Sequence, residues 1–164
     1  MNITLNTQQQ RAYNLILQGK NIFITGGMGV DAIKNLKLYN KLQIQKELGI
    51  VFQKKILIVT LHPETKSFYK SKMQIDILLL SLSKLKNTTI IFTCANADTD
   101  NLIINKKIKS FVKKNSNSYF YYSLGQKKYY TILKIADAII GNSSSGILEA
   151  PPFKLLTIPT LSSG

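Results

Sequence analysis

Short, continuous runs of apolar residues recur along the chain and alternate with longer stretches in which apolar residues return every three or four positions. The short runs predict strands that are covered on both faces, and the longer stretches predict amphipathic helices. The predicted strands are 55–61, 88–93, 118–122, 137–141 and 155–158. The predicted helices between and after them are 66–86, 100–114, 127–136 and 144–150. This alternation predicts an α/β fold, with a doubly wound, Rossmann-like parallel sheet and helices on both faces.

The first 50 residues carry a weaker pattern. Residues 21–27 are predicted as a short strand that leads into glycines, and residues 30–39 as a helix. Residues 40–49 are predicted as a second short helix that ends at Gly49. These elements precede the regular alternation, so we expect the sheet to be built from the rest of the chain.

The chain is strongly basic, with a formal net charge of +14 from 22 basic and 8 acidic residues. Arg11 is the only arginine, and the lysines are spread along the chain rather than clustered. Arginine is the usual bidentate reader of phosphates and guanine edges. The composition therefore does not favour a nucleic-acid partner, although the charge alone would suggest one.

Apolar runs such as IDILLLSL are much shorter than the roughly 18 residues that a membrane-spanning helix needs. The polar N-terminus has no signal-peptide core, so we expect no membrane association. The lone cysteine, Cys94, excludes an internal disulfide and fits a reducing compartment. We therefore expect a cytoplasmic protein.

Two serines and a carboxylate follow the strand predicted at 137–141. Ser143 and Ser144 lie where a helix is expected to begin, and free backbone N–H groups there attract anions such as phosphate. The same serines are good helix N-caps, so a phosphate site and simple capping both remain open. Glu149 could accept hydrogen bonds from sugar hydroxyls or could only complement the helix dipole.

Further candidates follow the other predicted strands, at the edge where sheets of this kind bind ligands. His62, the only histidine, could donate to a phosphate, carry a proton or be an ordinary surface residue. Asn96 could face a ligand or shape a turn. The backbone of Ser123, Leu124 and Gly125 could contact a ligand or form an ordinary loop.

The segment IIGNSSSGILEAP, at 139–151, resembles the nucleotide-binding signature of the hydrolysing UDP-N-acetylglucosamine 2-epimerases. It is most similar to the branch that serves sialic-acid and legionaminic-acid type products. Other segments resemble the family in the same chain order: GGMGVDAIKNL (26–36), ILIVTLHPET (56–65), IFTCANADTD (91–100) and YYSLGQKKYYTILKIADAIIGNSSSG (121–146). The resemblance extends over nearly the whole chain.

The resemblance implies the C-terminal half of a glycosyltransferase-B-like fold, in which two Rossmann-like domains hold a UDP-sugar between them. Residues 1–50 would be a remnant of the segment between the domains, with a short strand and helices. Residues 51–164 would be the UDP-binding domain, truncated at its C-terminus. In the family the first domain supplies the acidic residues for proton transfer, and no carboxylate of this chain can be assigned that role.

The resemblance also implies a role for each candidate residue. His62 matches the active-site histidine beside the diphosphate, and it is the one catalytic residue that we assign. Ser143 and Ser144 match residues that hold the diphosphate, and Glu149 matches one that binds the ribose hydroxyls. The complete set that would bind UDP or line its cleft is Asn96, Ser123, Leu124, Gly125, Ser143, Ser144 and Glu149.

The family reaction converts UDP-N-acetylglucosamine to N-acetylmannosamine and UDP. UDP leaves by elimination across C1 and C2, and water then adds with inversion at C2, which requires a base and help for the departing diphosphate. The resemblance implies no cofactor and no metal. The implied partners are the UDP-sugar substrate and either a missing N-terminal domain or a second copy of the chain.

After Ile158 the sequence no longer follows the family pattern, and it stops six residues later. We therefore expect a truncated product that keeps the UDP-binding fold and is inactive alone. Two alternatives remain open: a non-catalytic UDP-sugar-binding module, and the nucleotide-binding half of another enzyme of the same architecture.

Overall fold

The computed structural model describes residues 7–18, 36–61, 68–93, 99–141 and 149–160. Its strands are β1 Lys55–Thr60, β2 Thr88–Thr93, β3 Ser118–Tyr121, β4 Ala138–Gly141 and β5 Leu156–Pro159. Its helices are α1 Thr7–Leu17, α2 Lys41–Leu48, α3 Phe68–Ser83, α4 Thr99–Lys114 and α5 Gly125–Ile135. A short 3₁₀ helix, Pro151–Phe153, precedes β5. The five predicted strands and the helices predicted at 66–86, 100–114 and 127–136 are therefore present, with ends that move by at most three residues. The helix predicted at 144–150 lies mostly outside the described residues.

The five strands form one parallel sheet in the order β3-β2-β1-β4-β5. The predicted α/β class with a doubly wound parallel sheet is confirmed. The strand order reverses direction at β1, which pairs with β2 on one side and with β4 on the other. In sheets of this kind the crevice for a ligand opens outside the carboxyl ends of the strands at that reversal.

Helices cover the sheet on both faces because successive side chains of each strand point to opposite sides. One core joins α2 and α5 to Ile56, Ile58 and Ile91 of the sheet. The other core joins α3 and α4 to Val59, Ile90 and Phe92. Positions 56 and 58 of β1 therefore face α5, whereas position 59 faces α3 and α4.

The chain reaches α2 without regular secondary structure. Residues 36–40 have no regular secondary structure, so the helix predicted over 30–39 is wrong for its described part. Leu36, Leu38 and Tyr39 instead pack against the α2 and α5 core, and the backbone N–H of Tyr39 donates to the hydroxyl of Thr131 at 3.2 Å. Tertiary packing thus outweighs the local helical pattern. The strand predicted at 21–27 lies outside the described residues.

The second predicted helix, at 40–49, is confirmed as α2. Asn40 and Gln43 form a reciprocal capping box at its start, and Gly49 ends it in the left-handed conformation at φ 67°. Helix α1, in contrast, was not expected from the sequence, and Tyr13 and Leu17 in it are exposed.

The start of β1 is tied to the start of β4 by one carboxylate. Asp137 Oδ2 accepts a hydrogen bond from the backbone N–H of Ile56 at 2.9 Å, and its Oδ1 accepts one from Lys55 Nζ at 2.8 Å. The Lys55 ammonium and the Ile56 amide hold the pKa of Asp137 below its usual value. This contact helps to fix the register of the two central strands.

The same two strands approach very closely at their carboxyl ends. Gly141 has φ 152°, and a Cβ added to it would lie 1.7 Å from the backbone oxygen of Thr60. Only glycine can occupy this position without moving β1.

None of the described helices is both long and apolar enough to cross a membrane.

Candidate functional site

An open cleft of about 450 Å³ lies at the carboxyl edge of the sheet, on the face that α5 covers. It lies beside β1, where the strand order reverses, as expected for a ligand site in this fold. The residues that line it are Thr60, Thr93, Ser123, Leu124, Gly125, Gln126, Tyr129, Tyr130 and Glu149. They come from the ends of β1 and β2, from the start of α5 and from the segment after β4.

One wall of the cleft is the N-terminus of α5. Leu124 occupies the N-cap position, and its side chain makes no capping hydrogen bond. Gly125 starts the helix at φ 66°, a conformation that favours glycine, and its N–H donates to Ser123 Oγ at 3.2 Å. The first turn of a helix has N–H groups without intrahelical acceptors, so this wall can donate to carbonyl or phosphate oxygens.

Glu149 also lines the cleft. The hydroxyl of Tyr130 donates a hydrogen bond to Glu149 Oε1 at 3.0 Å. Tyr130 is buried at 3% exposure and packs in the α2 and α5 core. Burial raises the pKa of Tyr130, and the hydrogen bond to the carboxylate of Glu149 and its charge raise it further, whereas a hydrogen bond with Gln126 lowers it. The phenol therefore stays protonated at neutral pH and holds one oxygen of the carboxylate.

The floor of the cleft carries two threonines. Thr60 and Thr93 end β1 and β2, and they are register partners in the parallel ladder. Among the described residues, neither Oγ1 has a hydrogen-bond partner, although both atoms are buried. A buried hydroxyl that lacks a partner costs about 1–3 kcal/mol of folding free energy.

The described lining holds one carboxylate and no lysine or arginine, although the chain as a whole is strongly basic. Two tyrosines and a leucine give it an apolar, aromatic part. An apolar, aromatic wall with a few polar groups is typical of small-molecule sites. In the described part of the chain, histidine, cysteine and acidic residues do not come together in groups of three or more that could hold a metal ion.

The structure brings together four of the predicted site residues: Ser123, Leu124, Gly125 and Glu149 all line the cleft. The other four, His62, Asn96, Ser143 and Ser144, lie outside the described residues. The segments that carry them nevertheless begin at the same edge, since β1, β2 and β4 all end there.

Sequence reasoning did not single out Thr60, Thr93 or the bond from Tyr130 to Glu149. Threonine is common in strands, so its presence at the end of β1 and β2 was no signal by itself. The structure shows that Tyr130 is buried and also bonded to Glu149. The sequence feature that could have indicated Thr60 and Thr93 is a polar residue at the end of each of two neighbouring buried strands.

The sequence model of one protein family, described as UDP-N-acetylglucosamine 2-epimerase, matches residues 3–161. A Campylobacter jejuni protein named GDP/UDP-N,N'-diacetylbacillosamine 2-epimerase (hydrolyzing) is 39% identical over 89% of this chain and 38% of its own length. The Escherichia coli polysialic acid biosynthesis protein P7 is 37% identical over 84% of this chain and 35% of its own length. The chain thus spans less than half the length of these relatives.

A solved structure with a similar fold is the complex of MnaA from S. aureus with UDP. It superposes with a TM-score of 0.63 at 15% sequence identity, and the match covers 92% of this chain and 40% of that one. At this identity the likeness concerns the fold, and it agrees with the parallel sheet and helix layers described above.

Proposed function

The chain belongs to the UDP-N-acetylglucosamine 2-epimerase family, and from this premise we propose that its cleft binds the UDP part of a nucleotide-sugar. The observation that carries the proposal is that Glu149 and the N-terminus of α5 line one cleft. A carboxylate held by Tyr130 can accept hydrogen bonds from the two ribose hydroxyls. The helix start and its preceding loop can donate to the carbonyl groups of uracil.

The diphosphate requires groups other than the described lining, because that lining has no cation and includes a carboxylate. We assign this part to Ser143 and Ser144 after β4, and we place His62 after β1 beside the leaving diphosphate. The ends of β1 and β4 are hydrogen-bonded neighbours, with Thr60 opposite Gly141. Both segments therefore start within reach of a single ligand.

In the proposed reaction, the C1–O bond to UDP breaks while a base removes the C2 proton of the sugar. Water then adds its hydroxyl to C1 and a proton returns to C2 from the other face, which yields N-acetylmannosamine and UDP. An imidazole at His62 would donate to the diphosphate as it leaves. Glu149 is the only carboxylate of the described cleft, and it serves the ribose, so a second element must supply the base.

We therefore propose that this chain binds UDP and does not convert a UDP-sugar by itself. The acidic groups for proton transfer would come from a neighbouring domain or from another copy of the chain. The exact N-acetylated sugar would be read mainly by that second element. A cytoplasmic location agrees with this function, and it is supported by the single cysteine, which cannot form an internal disulfide.

The direct test is calorimetric titration of the chain with UDP. We expect saturable binding by the wild type and binding weakened by about tenfold or more in Glu149→Ala and in Ser143→Ala. Glu47→Ala is the matched control, because Glu47 is an exposed carboxylate of α2 that pairs with Lys128 at 3.2 Å, outside the cleft lining. Failure of the wild type to bind UDP would refute the proposal.

The nucleobase needs its own titration, since the Campylobacter relative is named for both GDP and UDP. We propose that UDP binds more tightly than GDP, because the family to which the chain belongs is named for UDP-N-acetylglucosamine. Tighter binding of GDP would overturn the assignment of the base while leaving the nucleotide site intact. Release of N-acetylmannosamine from UDP-N-acetylglucosamine by the monomeric chain alone would contradict the need for a second element.

A further inference from the structure

Two buried hydroxyls at the floor of the cleft lack partners among the described residues, whereas the other buried threonines are satisfied. Thr60 is buried at 8% exposure. The Oγ1 atoms of Thr60 and Thr93 are both buried, and neither has a hydrogen-bond partner in the part of the chain that the structure describes. In contrast, Thr89 accepts from the N–H of Gln53 at 2.8 Å, and Thr131 donates to the carbonyl of Lys127 at 2.7 Å. Buried polar groups are almost always paired, so the exceptions call for a partner from outside the chain.

The position of the two threonines on the sheet shows where that partner would lie. Positions 56 and 58 of β1 face α5, and alternation places Thr60 on the same face. Thr93 lies beside it in β2 and also lines the cleft. Rotation about χ1 exchanges a threonine hydroxyl with its methyl group, so each hydroxyl can turn from the interior into the cleft.

The chemistry of the cleft limits what the hydroxyls can meet. A hydroxyl both donates and accepts, and the edge of a nucleobase presents both kinds of group, whereas a phosphate only accepts. The described lining offers a phosphate no cation, and it adds the carboxylate of Glu149. Tyr129, Tyr130 and Leu124 give the same space an apolar, aromatic wall.

We infer that Thr60 and Thr93 form the floor of the nucleobase subsite and hydrogen-bond to the polar edge of the base. Thr93 lies opposite Tyr121 in the ladder, two residues before Ser123, so the floor is continuous with the loop assigned to uracil. The inference rests on the proposed nucleotide site and adds the residues that recognise the base. Valine would fill the same space without leaving a hydroxyl unpaired in the free protein, so threonine at these positions favours the complex over the free protein.

The test uses the separate variants Thr60→Val and Thr93→Val. Thr89→Val is the control, because Thr89 lies in β2 with Thr93 and on the same face of the sheet. Urea unfolding without ligand gives stability, calorimetry with UDP gives affinity, and ligand-detected NMR with uridine isolates the nucleoside. We expect the first two variants to unfold at higher urea and to bind UDP and uridine about tenfold more weakly. The control should unfold at lower urea, because the N–H of Gln53 loses its acceptor, and should bind UDP as the wild type does.

Each outcome separates the inference from the function on which it rests. Wild-type affinity for UDP in both Thr60→Val and Thr93→Val would overturn the inference and leave the UDP site in place. Weaker UDP binding with unchanged uridine binding would show that the hydroxyls contact the phosphates, and it would overturn the assignment to the base. A wild-type chain that binds neither ligand would overturn the proposed function and the inference together.

Discussion

The hydroxyl of Tyr130 donates a 3.0 Å hydrogen bond to Glu149 Oε1, and so connects the middle of α5 to the segment after β4. Tyr130 is held by the core, with Phe153 and Tyr129 as ring neighbours. A buried phenol has little rotational freedom, so it orients the carboxylate rather than following it. Tyr130 is therefore a positioning residue for the group that we assign to the ribose.

Tyr130→Phe should weaken recognition of the ribose without creating a cavity in the core. The variant keeps the ring and loses the hydrogen bonds of the hydroxyl with Glu149 and Gln126, so we expect the free energy of unfolding to fall by about 1 kcal/mol. The specific readout is the ratio of the affinities for UDP and 2′-deoxy-UDP. That ratio should fall towards one in Tyr130→Phe, as in Glu149→Ala, because a loosely oriented carboxylate discriminates the 2′-hydroxyl less well.

The control for this change is Tyr121→Phe. The hydroxyl of Tyr121 donates to the carbonyl of Leu48 at 3.3 Å, on the α2 side of the core and outside the cleft lining. This variant should lose a similar amount of stability and keep the wild-type preference for UDP. An unchanged preference in Tyr130→Phe would mean that Glu149 is oriented by other contacts.

The two tyrosines also predict how stability changes in alkali. Burial raises the pKa of Tyr121 and of Tyr130 above the ordinary 10.0, and the ionised form is therefore disfavoured in the folded state. Their contribution is fully present below pH 10.0 and is lost as the pH rises through the higher folded values, since the unfolded chain releases these protons first. Urea unfolding above pH 10 should show a shallower loss of stability in the Tyr121→Phe, Tyr130→Phe double variant than in the wild type.

Asp137 predicts the opposite behaviour in acid. Its pKa lies below the ordinary 3.8 in the folded state, first because of Lys55 and then because of the Ile56 amide. Its contribution is present above pH 3.8 and is lost as the pH falls through the lower folded value. At neutral pH, Asp137→Ala should lower the free energy of unfolding by about 1 kcal/mol, mainly through the lost backbone hydrogen bond, and the difference should shrink in acid.

The comparison for Asp137 is Asp76→Ala, which removes an exposed ion pair between Asp76 and Lys107. Exposed pairs of this kind contribute about 0–1 kcal/mol and are screened by salt. Asp137→Ala should therefore have the larger effect, and the smaller dependence on salt. An equal effect of the two variants would show that the contact with the Ile56 amide does not stabilise the pairing of β1 with β4.

Two glycines beside the cleft should respond differently to the same substitution. At Gly141 the added Cβ collides with the backbone of Thr60, so Gly141→Ala should cost about 3 kcal/mol or more and loosen the carboxyl edge of the sheet. At Gly125 nothing lies within 4 Å of the added Cβ, so Gly125→Ala should cost only the strain of a positive φ, about 1–2 kcal/mol. Urea unfolding of both variants measures the difference, and equal costs would show that β1 shifts freely.

The strands of this fold could be predicted from the sequence to within a residue or so, because β1, β2 and β4 are short apolar runs packed between two layers of helices. β5 is also a short apolar run, although Leu156 and Ile158 are exposed. The absence of a helix at 36–40 could not be predicted, since Leu36 and Tyr39 have the i, i+3 spacing of a helix. In the structure both residues pack against the core of α2 and α5 without forming one. Helix α5 begins at Gly125 rather than at residue 127, because a glycine with positive φ can start it.

The site was partly predictable for a similar reason. Glu149 and the loop of Ser123 to Gly125 carry a recognisable pattern, and they line one cleft. Thr60 and Thr93 carry none, because a threonine in a strand is ordinary until its hydroxyl is found without a partner. That fact depends on three-dimensional neighbours, which no local pattern contains.

The position of β1 in the sheet has a consequence for folding during synthesis on the ribosome. β1 can pair with β2 about thirty residues downstream, but Ile56 meets Asp137 only 81 positions later. Since the chain emerges from its N-terminus, one side of β1 stays bare until translation has passed β4. We therefore expect β1, β2 and β3 to assemble first, and a nascent chain should gain affinity for nucleotide only after β4 and the segment that carries Glu149 have been made.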